Sequence, residues 1–570
     1  PISNMKSKYA IIISAAAVSI TASAQISREI VVEREVVPIE LPASRISLMP
    51  TTVKTQFPAA KVKFSDAVVA AEITPLRTVL EPALTDEADS AAINQRGYID
   101  LGYFPAFNLG VSAGYQFVNN EKSTLGAWLQ YNGHSYKGND RWDAYKYHIK
   151  RNTFTLGAEG THRLNATSGL HAALSYTYDA NKWETPIPDG SRIEYNNRPT
   201  LNAHILGLTA GYYGKSGLWG YCAAFNGGVN SLSSLQNFDP KISNSEWLYG
   251  INGELNYTTG DDSRAGLRVD WQMRSFSFSD HAAEGKTLGV VKLNPYWASP
   301  LLEGMNIELG VNADFSVNSG TTANFSPECA ISWSPRGTMS IFAVEVKATG
   351  GLHANTLASL LDYTPYINPA YDEFTDTYRT LGNSHIPYDL AAAVTIGPFS
   401  GAYLELSGEF AKANDWMMPM CAGSCNTWSA TDVKGWLLGA KAGYRFRNLG
   451  EISVAYQHAS NDGDKAFYRW RDRAKQALDA RLTITPVKPL EVSVGYEARW
   501  GRKVIASYGD TMTEFWLGAK RNLWLGASYR VTPRFTIFAR GENLLNSHYE
   551  HVFDVPAQGL TGLVGAQYTF

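Results

Sequence analysis

The last eleven residues constrain this chain most. Leu560, Gly562, Val564, Ala566, Tyr568 and Phe570 fall on one side of an extended segment, and Thr561, Leu563, Gly565, Gln567 and Thr569 fall on the other. The repeat is two residues, which is a strand with one apolar face and one face that is polar except for Leu563. The strand stops on an aromatic residue. A terminal strand of this kind predicts a sheet that closes on itself, its last strand pairing with its first so that no edge is left open.

The same alternation recurs back through the chain. Leu490, Val492, Val494, Tyr496 and Ala498 alternate with Glu491, Ser493, Gly495, Glu497 and Arg499, and Ala265, Leu267, Val269, Trp271 and Met273 alternate with Arg264, Gly266, Arg268, Asp270 and Gln272. In a soluble sandwich the apolar face would meet a second sheet. Here it can meet lipid while the charged face lines a wet lumen. Composition agrees: 44% hydrophobic residues is ordinary, as expected when half of every strand is polar, and the 31 Tyr and 15 Trp suit aromatic girdles at two membrane interfaces. A net charge of -3 argues against nucleic acid as a partner. The fold class expected is all-β: a transmembrane antiparallel β-barrel of about 22 strands, preceded by an N-terminal periplasmic segment.

Residues 5–24 read as a secretory signal, with Lys6 and Lys8 ahead of an apolar run and Ala22-Ser23-Ala24 as the cleavage site. Residues 25–96 mix charges with Ile, Val and five or more Pro, and read as an extended periplasmic or lumenal segment: a tether, a strand-adding arm or a filler of the lumen. Strands are expected across 97–570, at about 97–104, 108–117, 124–136, 149–164, 168–183, 201–215, 217–230, 246–259, 263–278, 286–298, 303–317, 325–335, 338–352, 388–397, 401–415, 432–447, 450–460, 474–486, 489–502, 513–531, 534–545 and 560–570. Short connections such as 164–167, 214–217 and 448–450 alternate with long ones such as 181–200, 231–246, 353–387 and 416–431, which predicts short periplasmic turns and long outer loops.

The end of the chain carries a resemblance. Glu542-Asn543-Leu544-Leu545-Asn546, then Tyr549, then a strand ending Tyr568-Thr569-Phe570 resembles the C-terminal signature of TonB-dependent receptors. That resemblance, covering 97–570, implies a 22-stranded outer-membrane barrel that takes up a ligand. It implies contact with outer-membrane lipids and lipopolysaccharide, and a partner that is a TonB-type energy-coupling protein or a surface lipoprotein. Only about 70 residues stand between the signal and the first strand, and no plug motif or TonB box is recognised there, so the plug is expected to be reduced or absent. The alternative function is then a non-transporting scaffold or accessory subunit of an outer-membrane complex.

The residues point to no cofactor, metal or catalytic site. Gly110-Val111-Ser112-Ala113-Gly114 matches the G-x-S-x-G nucleophile pattern, but that pattern needs a strand-turn-helix elbow, and here it sits inside an alternating strand. Cys222 and Cys329 fall in strand-like stretches, and Cys421 and Cys425 share a predicted loop where an exported protein would form a small disulfide. The inward charges Arg264, Arg268, Asp270, Glu491, Glu497 and Arg499 are of mixed sign, which suits pairing along the lumen wall or a polar path. Trp142, Trp183, Tyr363, Tyr366, Tyr371, Tyr378, Trp416, Trp428 and Trp470 concentrate in the outer loops, where they would hold a ligand or partner, or pack the loops into a roof. Phe570 is expected to complete barrel closure.

Overall fold

A computed structural model describes residues 96–570 except 106, 140–145, 185–199, 236–241, 261, 280–284, 319–322, 336–340, 366, 373–376, 423–424, 447–448, 468–473, 509–510 and 552–554. The readings of 5–24 and 25–96 as signal and periplasmic segment therefore lie outside the described residues but for Arg96.

Each strand of the ring pairs antiparallel with the next strand of the ring, from Gly97–Phe104 round to Thr561–Thr569, and these two pair with each other. Two of the twenty-four strands in the sheet, Lys503–Tyr508 and Thr511–Trp516, form an overhanging hairpin. The strands on either side of it, Leu490–Trp500 and Lys520–Thr532, pair directly beneath, so the ring itself has twenty-two members. The alternation read from the sequence sorts the faces. Ile99, Leu101, Leu206, Leu208, Ile251, Leu267, Leu309 and Val311 are exposed on the outside, while Arg268, Asp314 and Glu491 point in.

The seam shows why the last strand reads as it does. Tyr98 to Tyr103 pair with Thr569 to Val564 in unbroken register. The carbonyl of Phe570 accepts the N–H groups of Arg96 at 2.7 Å and Gly97 at 2.9 Å. Leu563, the one apolar residue on the polar face, is buried and lies over Gly102, where any Cβ would come within 2.6 Å of its side chain. A leucine facing a glycine on the next strand fills the seam from the inside. On the outside the Phe570 ring stacks with Tyr115 at 6.0 Å and Tyr568 at 6.1 Å.

Further pairs continue a belt at this end: Tyr212 with Tyr221, Trp219 with Tyr257, and Tyr444 with Phe446, at 5.7, 5.1 and 5.0 Å. Amphipathic rings gather at a lipid–water interface. Here the strands are joined by tight turns such as Gly217-Leu218 and Glu303-Gly304, with Gly217 and Gly304 at positive φ. The longest described connections, 355–382 and 543–560, lie at the opposite end, which is the predicted asymmetry.

The expected loop 231–246 shrinks, its flanking strands running to Leu235 and restarting at Ile242, and two other boundaries differ more. The predicted loop 416–431 is mostly strand, because Ala402–Ala422 and Cys425–Phe446 run on past the ring as an overhang. Its alternation is hidden because both faces are covered: Trp416 and Met418 pack into one apolar cluster, Met417 and Trp428 into another. The predicted strand 513–531 is two strands. Leu517 leaves the sheet, its N–H donating to the Arg502 carbonyl at 2.9 Å, and the buried Arg502 guanidinium takes the Gly518 carbonyl at the same distance.

Two outcomes are expected. Replacing Phe570 with Ser removes ring stacking of about 1 kcal/mol per pair from the closing strand, so the heat-modifiable folded barrel should fall several-fold in membranes while total protein holds; equal folded fractions would contradict this role for the terminus. A peptide tag in the loop 355–382 should bind antibody on intact cells and one at Leu164–Thr167 should not.

Candidate functional site: the roofed mouth

A ring of twenty-two strands encloses a lumen too wide for inward side chains to fill, so its ends decide what it can do. Among the described residues, three connections at the long-loop end fold across the opening.

The largest spans 355–382. It begins with the one described α-helix, Leu357–Tyr363. Thr356 and Ser359 form a capping box, each backbone N–H donating to the other's hydroxyl at 3.0 Å. Leu357, Leu360 and Leu361 make the apolar stripe of its buried face. A short hairpin, Tyr371–Asp372 with Thr377–Tyr378, follows.

Both ends of this loop are held by one buried arginine. Arg274, inward on Arg264–Phe278 and 1% exposed, donates to the carbonyl of Asn355 and, at 3.3 Å, to that of Leu381; its other amino group reaches Asn383 Oδ1. Glu246, on the neighbouring strand Ile242–Thr258 and wholly buried, accepts the Leu357 N–H at 2.8 Å and Asn230 Nδ2 at 2.9 Å. The carboxylate and the guanidinium attract each other. Asn244 Nδ2 donates to Asn368 at 3.0 Å, and the Ser279 and Tyr378 hydroxyls meet at 2.7 Å.

The far side of the loop rests on the overhang. Trp428 Nε1 donates to the Ile367 carbonyl at 3.4 Å, its ring meets Tyr363 at 5.7 Å, and Arg379 donates to the Trp428 carbonyl and to Thr427. Burial lowers the Arg379 guanidinium from its usual value, against the pull of Asp372 at 3.5 Å. The overhang bends at a bulge where Asp415 takes φ of 53°. One apolar cluster thus joins Leu201, Leu232, Phe276 and Leu288 on the inner wall, the loop's leucines, and Met417 and Trp428 opposite. Leu201 is on the sixth ring strand and Trp428 on the sixteenth, nearly a full diameter apart. The loop is therefore a span across the mouth.

Two further described connections adjoin it. Phe467 is buried against Trp416, Val433, Leu437 and Ala459. The loop 543–560 reaches in over the first strands, where the Tyr136 hydroxyl donates to the Pro556 carbonyl at 2.9 Å. Asn543 and Asn546, both at positive φ, fix this loop. Asn543 Nδ2 donates to the Ser547 and Gln558 carbonyls at 3.0 Å each, and Asn546 Oδ1 accepts the Leu560 N–H at 3.0 Å. Burial beside Lys520 and Arg502 holds the His551 imidazole down at about 3, so it stays neutral.

The predicted site residues fall as follows. Trp416, Trp428 and Tyr371 are buried, and Tyr363 and Tyr378 are half-buried against them, so these aromatics build the roof. Trp142, Tyr366 and Trp470 lie outside the described residues. So do the side chains of Trp183, Cys421 and Cys425, although the backbone places Trp183 opposite Ile149 and Cys425 opposite Ala422. Arg268 bridges Glu308 at 2.7 Å and Glu254 at 3.4 Å, with its guanidinium 3.9 Å from the centre of the Tyr296 ring. Arg499 meets Asp479 at 2.9 Å and Glu497 meets Lys520 at 3.8 Å. Asp270 stands opposite Lys292, Glu491 is buried, and Arg264 stands opposite Thr258 and Ala298 near the turn end. The mixed-sign wall is largely paired. Ser112 lies in the middle of Asn108–Asn119, with no elbow around it. Sequence reading missed Glu246 and the leucines; their signal was the 357, 360, 361 spacing, a helical period amid strands.

No family model and no curated protein matches the sequence. Solved structures do. A mutant of the ferric enterobactin receptor PfeA from Pseudomonas aeruginosa superposes with a TM-score of 0.61 at 12% identity, over 84% of this chain and 80% of that one. The iron transporter FrpB from Neisseria meningitidis gives 0.61 at 11%, over 85% and 82%. The ferripyoverdine receptor of the Pseudomonas aeruginosa outer membrane gives 0.58 at 10%, over 84% and 72%. The likeness establishes the fold: a closed 22-stranded barrel of the TonB-dependent-receptor type.

Arg274→Ala should strip both ends of the span of their anchor and leave the buried Asn355 and Leu381 carbonyls without this donor, a loss of about 1–3 kcal/mol. Proteolysis of intact cells should then cut within 355–382 at protease levels that spare the wild type. Equal protection of Arg274→Ala and wild type would show that the clamp does not hold the loop.

Proposed function

We propose that this protein is an outer-membrane uptake barrel whose outer mouth is closed by its own loops and opens when a ligand engages them. The observation that carries this is the span 355–382, anchored on Arg274 and Glu246 at one wall and on the Trp428 overhang at the other. A roof with helix caps, buried leucines and a charged clamp is a defined closed state, and such a state has a use where something must later pass. The solved neighbours are named as receptors and transporters for iron and ferric siderophores, which supports uptake in the outer membrane. The ligand would be captured by other loop aromatics, for which the sequence offers Trp142, Trp183, Tyr366 and Trp470 as candidates. A TonB-type protein in the periplasm would supply the energy through 25–96, and lipid and lipopolysaccharide would surround the barrel.

One observation favours the other reading, a scaffold or accessory subunit. Trp416, Trp428 and Tyr371 are consumed in packing. A barrel that only carries a partner needs a sealed mouth and no open state.

Planar-bilayer conductance separates the two. Wild type should be silent. Replacing 357–381 with a short Gly-Ser linker should open large conductance, either alone or combined with removal of 25–95. Opening only in the combined deletion would assign 25–95 to the lumen. Silence of both variants would sink the uptake reading and favour the scaffold, and a wild type that conducts like a porin would remove the roofed mouth altogether.

A further inference from the structure

The outward face carries an arrangement that barrel formation alone does not explain. Lys412 and Lys434 stand directly opposite each other on adjacent strands, Ala402–Ala422 and Cys425–Phe446. Leu404, Leu406, Phe410, Trp436 and Leu438 are exposed on the same face below them, so both lysines point to the lipid side, at the edge of the apolar band nearest the roof. Tyr388, opposite Lys412 on Asn383–Phe399, stacks with Phe410 at 5.8 Å. Lys434 Nζ lies 5.4 Å from the centre of the Phe410 ring. It leans back to the level of the aromatics and so into the interfacial layer.

Like charges directly opposite on a sheet repel. Among the described residues no carboxylate comes within 4.0 Å of either lysine. Asp432, two residues further along the face, turns its Oδ1 to the backbone N–H of Asp415 at 2.9 Å. The inner wall contrasts with this, since Arg151, Arg268 and Arg499 each meet a carboxylate. Two ammonium groups side by side at an interface, over a shelf of aromatic rings, fit an anion that arrives with its own apolar tail. We propose that Lys412 and Lys434, with Tyr388, Phe410 and Trp436, bind the phosphate monoester headgroup of an outer-leaflet lipid. The phosphate oxygens accept from both Nζ groups, and the acyl chains descend along Leu406 and Leu438. The same strands continue upward to Met417 and Trp428, so the lipid braces the part of the wall on which the roof rests.

The test uses the purified full chain in neutral detergent and follows the thermal loss of its heat-modifiable form. The probes are phosphatidic acid, phosphatidylcholine and inorganic phosphate. Phosphatidic acid should raise the transition of the wild type and phosphatidylcholine should not. In Lys412→Gln, Lys434→Gln the phosphatidic acid needed for half the shift should rise roughly tenfold. Without added lipid this variant should be at least as stable as wild type, since it loses a repulsion; Lys412→Arg, Lys434→Arg should respond as wild type does. Equal shifts in wild type and the Gln variant would overturn the site. A shift with inorganic phosphate alone would make it a free-anion site and overturn the lipid. A Gln variant less stable than wild type in lipid-free detergent would show that the lysines serve the fold instead.

Discussion

Backbone hydrogen bonding in a medium without water governs this molecule. Each unsatisfied N–H or C=O in hydrocarbon costs several kcal/mol, so a sheet survives there only as a closed ring. That requirement fixes the last residues: the first and last strands must meet in register, and they do so from Tyr98 against Thr569 to Tyr103 against Val564. It also fixes composition, because every strand must be apolar outside and may be polar inside. The size of the ring then creates the second problem. Twenty-two strands cannot fill their own lumen, and the structure answers at the mouth with a span of the chain itself.

The two faces treat charge differently for the same reason. Inside, arginines and carboxylates alternate and pair, as Arg268 does with Glu254 and Glu308, because the wall must remain neutral where solvent is confined. A charge buried at the roof is tolerated only where it also organises backbone. Arg274 does this by collecting two carbonyls at the roots of one loop, and Glu246 by capping the first turn of its helix. These side chains turn a long connection into a fixed span.

Most of the ring was legible in the sequence and most of the roof was not. Period-two alternation survives wherever one face meets lipid and the other water, so Ala265–Met273 and Leu490–Arg499 announced themselves. It vanishes where both faces are covered. Trp416 to Met420 read as an aromatic loop because the overhang packs Phe467 on one side and the loop 355–382 on the other. Inward charge was legible by alternation; its pairing was not, because Arg268 and Glu308 are forty residues apart and only strand register brings them together. Arg274 looked like one more lumenal charge, and nothing local marks it as the anchor of residues more than eighty positions away.

The C-terminal signature bears on what a resemblance can say about function. Asn543 and Asn546 sit in left-handed backbone, which Asn accepts more readily than other side chains with a Cβ, and their amides close the last outer loop before the closing strand. The Asn543 backbone N–H also donates to the side-chain Oδ1 of Asn522 on the adjoining strand, at 2.8 Å. The motif is therefore a device for delivering the chain to the seam in the correct register. Any large barrel of this build needs it, whether or not anything passes through the lumen. The motif speaks to closure, and what the barrel does has to be read from the loops that cross its mouth.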